Sequence, residues 1–71
     1  MKFGDTLRAT RARHRISQSQ LGRLLGVSKQ AVSLWEKGVT TPRDKRLDRL
    51  CILLGWDYYQ VQLTLKEEDQ Q

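Results

Sequence analysis

The sequence predicts one small all-α domain of five short helices. Three observations lead there. A chain of 71 residues holds one small domain. Residues 17 to 38 carry two complete sets of helix start and stop signals. Leu47, Leu50, Cys51 and Leu54 then fall at i, i+3, i+4 and i+7, an amphipathic stripe. A core of this size is marginal, so caps and packing carry weight.

Residues 3 to 14 read as the first helix, with Phe3 and Leu7 four apart on its inner face. Arg8, Arg11, Arg13 and Arg15 make the segment basic. His14 and Arg15 fall at its C-terminal end, where cations complement the helix dipole. His14 is the one histidine and has no partner for metal binding or catalysis, so it reads as a surface or capping residue.

Ser17 with Gln20 three residues on is a capping box, opening a second helix over 18 to 25. Leu21, Leu24 and Leu25 follow at helical spacing. Gly26 permits the left-handed backbone of a helix end. Ser28 is an N-cap for a third helix over 29 to 37. Val32 and Trp35 give that helix its apolar face, Gly38 stops it, and Val27 in the turn points to the core. Gly22 is the odd residue, since a glycine inside a helix costs about 1 kcal/mol relative to alanine. A steep crossing of helices two and three, with no room for a large side chain, supplies the reason.

Residues 38 to 42 form a loop. Thr41 reads as an N-cap, Pro42 as the first helical position and Asp44 as the acidic third position, so helix four spans about 42 to 54. Cys51 lies in its stripe and reads as a small core residue. Gly55 ends the helix. Asp57 with Gln60 resembles a further capping box, starting helix five at about 58 to 62, with Trp56 and Val61 as core contacts. Beyond it the pattern is ambiguous. Val61, Leu63 and Leu65 alternate as in a strand, whereas Tyr58, Val61 and Leu65 fit a helical face. The domain is expected to span residues 1 to 65, with 66 to 71 a disordered acidic tail.

The formal charge is +5, and residues 66 to 71 contribute −2 of it, leaving +7 on the preceding residues. Such a body suits a polyanionic partner, although a solubilising surface has the same composition. The single cysteine excludes an internal disulfide and points to a reducing cytoplasm. No signal peptide is visible, and the longest apolar run, Leu50 to Leu54, is far too short for a bilayer. No nucleophile–base pairing, metal-ligand spacing or glycine-rich phosphate loop occurs. Neither an enzyme nor a cofactor, metal or small-molecule ligand is expected.

Gln18, Leu21, Gly22, Gly26, Val27, Val32, Trp35, Glu36 and Gly38 together form a pattern that resembles the lambda repressor/Cro type of helix-turn-helix. The resemblance covers roughly residues 3 to 62. It implies a five-helix lambda repressor-like DNA-binding domain with a central helix-turn-helix, most like a phage Cro protein in its brevity. It also implies a transcriptional regulator that occupies a two-fold operator through the major groove. In this family the first helical positions of the recognition helix touch bases, here Lys29 and Gln30. Lys29 can donate to guanine O6 and N7, and Gln30 can pair with adenine N6 and N7. Ser28, Ser33 and Leu34 share that outer face. Leu34 departs from the polar residue many relatives hold; it can pack on a thymine methyl or be an ordinary exposed leucine.

Gln18 at the start of helix two, with Lys37, Thr40 and Arg43 around the following loop, are the expected phosphate contacts. Lys45, Arg46 and Arg49 read as a solvated face. By the resemblance, Arg11 pairs with Glu36 and pins helix one to helix three. Two-fold readout requires a symmetric contact, expected from Trp56, Tyr58, Tyr59, Leu63 and Leu65 as a weak homodimer completed on DNA, the alternative being that these side chains close the base of a small core. Two other readings stay open: a small antitoxin-like regulator, and a protein-interaction module of the same fold that does not bind DNA.

Overall fold

One large apolar side chain from each of the first four helices, Leu7, Leu21, Val32 and Leu50, is fully buried, and the core forms around these four. The computed structural model describes residues 2–69. The helices are α1 (Phe3–Arg13), α2 (Gln18–Leu25), α3 (Lys29–Lys37), α4 (Asp44–Leu54) and α5 (Tyr58–Asp69), with no strand among the described residues. α3 lies against both α1 and α2, α4 packs on α2, and α5 packs on α1 and α4. Each of the four central side chains contributes about 1.5–3 kcal/mol by burial, so the core is real but small.

The first four helices end in the same way. Arg15, Gly26, Gly38 and Gly55 take the left-handed conformation. The next residue, Ile16, Val27, Val39 or Trp56, donates its N–H to the carbonyl five residues back, on Arg11, Gly22, Leu34 or Cys51. This is the Schellman closure, which satisfies carbonyls the helix leaves open. Three of the four are the glycines that the sequence marks. At the first, Arg15 holds φ 57° although it carries a Cβ, a conformation disfavoured by about 1–2 kcal/mol. That turn brings α1 to an end one residue before the expected boundary, with His14 as its exposed C-cap.

Two expectations need correction. Helix four starts at Asp44, not at Pro42, and Thr41 is not its cap. Pro42 is buried and shares a cleft with Leu47, Gln62 and Leu65. Holding its ring there keeps the chain extended through Arg43, at φ −123° and ψ 151°, and the helix enters through Asp44 at φ 46°. Aspartate is one of the few non-glycine residues that tolerate this region.

Helix five does not stop near residue 62. Residues 61–65 are helical, and so are 66–69 of the expected disordered tail; residues 70 and 71 lie outside the described residues. No glycine or proline interrupts Lys66-Glu67-Glu68, and these are good helix formers. Acidic residues at a helix C-terminus oppose the dipole. A tertiary contact offsets this, because Glu68 Oε1 accepts the Phe3 N–H at 2.6 Å and so caps α1. Asp57 Oδ1 accepts the Gln60 N–H at 3.0 Å, one half of the expected capping box.

Candidate nucleic-acid interface

α2 is locked at its start before any ligand is considered. Ser17 Oγ accepts from the Gln20 N–H at 3.0 Å, and Gln20 Oε1 accepts from the Ser17 N–H at 2.7 Å, a complete capping box. The Ser28 hydroxyl likewise accepts the Ala31 N–H at 3.1 Å and starts α3. Between them the chain turns at Gly26, and Gly22 is buried directly under that turn. An ideal Cβ on Gly22 would stand 2.7 Å from the Val27 carbonyl oxygen. The obstruction is therefore the backbone of the turn, not the opposing helix.

With Val32 and Trp35 turned inward, α3 presents Lys29 and Gln30 to solvent at its N-terminal end. Ser28 is exposed beside them, and Ser33 is half-buried. Leu34 is 38% exposed, enough to meet a ligand and too little to be free of its neighbours. Lys37, Thr40 and Arg43 are all exposed around the loop that follows, as are Lys45, Arg46 and Arg49 on α4. The Leu34 carbonyl accepts the N–H groups of Val39 and Thr40, at 3.0 and 3.5 Å, which folds the loop back on the end of α3.

A buried carboxylate ties the three helices together. Glu36 on α3 is almost fully enclosed. Arg11 on α1 donates Nε to Glu36 Oε2 at 2.7 Å and Nη2 to Oε1 at 3.2 Å, and its Nη1 reaches the Ile16 carbonyl at 2.9 Å. Gln18 on α2 donates Nε2 to Glu36 Oε1 at 3.0 Å. Arg8 Nε stands 3.7 Å from the same oxygen. Burial pushes the Glu36 carboxyl up, but hydrogen bonds from Arg11 and Gln18 and the charges of Arg11 and Arg8 more than offset it and hold it below the usual range. The hydrogen bond to Glu36 raises Arg11 in turn. Gln18 is thus not a free side chain at the helix end: one of its amide hydrogens is held by Glu36, and the second remains for an outside acceptor.

Two residues in this region were not visible in the sequence as site residues. Gly4 is buried under the end of α3, where a Cβ would overlap the Glu36 carbonyl oxygen and lie 2.8 Å from that of Trp35. Nothing local marks it, since a glycine near a helix start is unremarkable. Arg8 had a signal, its spacing of three from Arg11, which places both on one helix face.

The five residues expected at a symmetric contact divide into two groups. Trp56, Tyr58 and Leu65 are half-buried and pack against the core, Trp56 as its expected core contact implies. Trp56 meets Phe3 edge-on with ring centroids 6.0 Å apart, and Tyr58 Oη accepts from Gln62 Nε2 at 3.0 Å. The reason is economy of core: four short helices leave their lower end open, and these side chains close it. Tyr59 and Leu63, four apart on α5, are 67% and 40% exposed. Ile52 and Leu53 at the end of α4 are exposed as well.

Cys51 is buried in the α4 stripe, and desolvation together with Asp48 and Asp57 pushes its thiol up, away from the reactive thiolate. No helix among the described residues is long and apolar enough to cross a membrane.

A family profile described as a helix-turn-helix domain matches residues 2–63. Repressor protein C2 of Salmonella phage P22 is 41% identical over 45 residues, which is 63% of this chain. The chain spans 21% of the length of that repressor. The crystal structure of the P22 c2 repressor in complex with a synthetic operator superposes with a TM-score of 0.80 at 33% identity, covering 86% of this chain and 92% of the other. The NMR structure of the DNA-binding domain of the same repressor gives a TM-score of 0.78 at 33% identity, covering 90% of this chain and 83% of the other.

Proposed function

The chain belongs to the helix-turn-helix domain family and has the lambda repressor-like fold, and from this we propose that it is a transcriptional repressor that binds duplex operator DNA in the major groove. The observation that carries the proposal is the outer face of α3. Lys29 and Gln30 are exposed at the N-terminal end of a helix whose opposite face is anchored by Val32, Trp35 and Glu36. That is the arrangement a recognition helix needs, with hydrogen-bonding side chains at the leading end and a rigid base behind. Lys29 reads guanine, Gln30 reads adenine, and Ser28, Ser33 and Leu34 add weaker contacts, Leu34 to a thymine methyl.

Phosphates are held by Gln18, through its second amide hydrogen, and by Lys37, Thr40 and Arg43 on the other side. Two copies related by a two-fold axis read the full site, meeting through Tyr59 and Leu63. The operator complex of the P22 c2 repressor supports the DNA reading over that of an interaction module. The domain acts in the cytoplasm of a bacterial cell, where its operator is. The reading applies equally to a Cro-like protein and to the operator-binding part of a longer repressor.

Binding-site selection from a random duplex pool, followed by a salt titration, tests it. The two cationic phosphate contacts, Lys37 and Arg43, give a slope of log K against log salt of about −1.8 per half-site, and each further basic residue that meets a phosphate adds about −0.9. On the selected site Gln30→Ala costs about 1–3 kcal/mol and relaxes preference at one base pair. An unchanged ratio between the selected site and its one-base variants in Gln30→Ala would remove the direct-readout assignment.

A further inference from the structure

We propose that Arg8, on α1 and outside the helix-turn-helix, binds a backbone phosphate of the operator beside Gln18. The proposal rests on the DNA-binding reading above and adds a contact from a helix that reading does not use. Arg8 and Gln18 meet at one atom: Arg8 Nε lies 3.7 Å and Gln18 Nε2 3.0 Å from Glu36 Oε1. The carboxylate is already satisfied there. Arg11 supplies it with two hydrogen bonds and Gln18 with a third.

Two guanidiniums against one carboxylate leave one positive charge over, and the geometry shows which. The Arg11 side chain is 16% exposed and bound on three sides, whereas that of Arg8 is 58% exposed and among the described residues makes only the long ionic contact. The Arg8 fork therefore keeps its donors for an outside acceptor. Its position is nevertheless biased, because its Nε sits near the Glu36 oxygen that Gln18 also holds. A phosphate reached by the second Gln18 amide hydrogen lies within the span of the Arg8 side chain. It supplies the counter-charge the cluster lacks, and a guanidinium matches its oxygens two at a time.

The test uses the whole chain, with the selected duplex and a random duplex, titrated between low and physiological salt. Arg8→Gln is compared with Arg8→Lys and Arg13→Gln, each measured below its own melting midpoint. Arg13 is the control, because its Nη2 turns back to Thr10 Oγ1 at 3.5 Å on another side of α1. Loss of one phosphate contact reduces the slope by about 0.9. The expected result is that reduction in Arg8→Gln, with both duplexes weakened by the same factor, a slope kept by Arg8→Lys, and no such change in Arg13→Gln. An unchanged slope in Arg8→Gln overturns the proposal, and so does an equal reduction in Arg13→Gln, which would mean bulk charge alone. Failure of the unaltered chain to bind any duplex at low salt would instead defeat the DNA-binding reading itself.

Discussion

A side chain at Gly22 has no space. Its first carbon would stand 2.7 Å from the Val27 carbonyl oxygen and 3.2 Å from the Ser28 carbonyl carbon and oxygen. Ordinary contact begins near 3.4 Å, so the turn must retreat by about 0.7 Å. The obstructing atoms are backbone and cannot swing aside. Val27 is tied to the Gly22 carbonyl at 2.8 Å, and Ser28 caps α3, so moving them moves the start of α3. In Gly22→Val the helix recovers only about 0.3 kcal/mol of propensity, because valine is itself a weak helix former. Overpacking costs about 1–3 kcal/mol. The net loss is about 0.7–2.7 kcal/mol, out of a total stability of roughly 4–10 kcal/mol for a chain of this length. The melting midpoint falls by about 3–22 °C. Thermal denaturation followed by circular dichroism measures it. Gly22→Ala is the internal comparison: its Cβ meets the same oxygen, but alanine gains about 1 kcal/mol of propensity, so its midpoint lies between the other two. A Gly22→Val midpoint within about 2 °C of the unaltered protein would refute the claim that the turn and α2 are in contact here.

The Glu36 cluster has a pH signature. The folded carboxyl is held below its ordinary value of 4.5, so its contribution is present above that pH and is lost as pH falls through the folded value. Glu36→Gln loses about 1.5–3 kcal/mol at neutral pH and then shows a shallower acid decline than the unaltered protein; parallel stability curves below pH 4.5 would place the carboxylate outside the network. On α5, Leu65→Glu lowers the melting midpoint because it puts a charge into the seam with Pro42 and Leu47. Leu63→Glu and Tyr59→Glu leave the midpoint within a few degrees but abolish cooperative occupation of a two-fold site in gel-shift titrations; unchanged cooperativity would move the contact elsewhere.

What could be read along the chain was local. Ser17 reaches Gln20 and Ser28 reaches Ala31 within one helical turn, so these caps depend on neighbours already adjacent in sequence. Gly26, Gly38 and Gly55 mark helix ends because a left-handed residue is most easily supplied by glycine. The stripe Leu47, Leu50, Cys51 and Leu54 is buried as its spacing predicts. The outer face of α3 follows by subtraction from its inner one.

What escaped the sequence depends on partners far along the chain. The Gln18 amide turns to Glu36, eighteen residues on, and Gly4 lies under Trp35 and Glu36. α5 runs on through the acidic segment because Glu68 meets Phe3, a contact across 65 residues. Pro42 could have begun a helix, and its burial against the α4–α5 seam decided otherwise. The spacing of residues 58 to 65 left helix and strand open, and the core end on which Tyr58, Val61 and Leu65 pack goes with the helix. By itself, then, the sequence determined the bounds and caps of α2 and α3 and the side chains that α3 leaves exposed, because the forces that set these act within a turn of the chain. Only the tertiary structure decided which polar side chains are held and which apolar ones are free, because burial belongs to the packed assembly and not to any single segment.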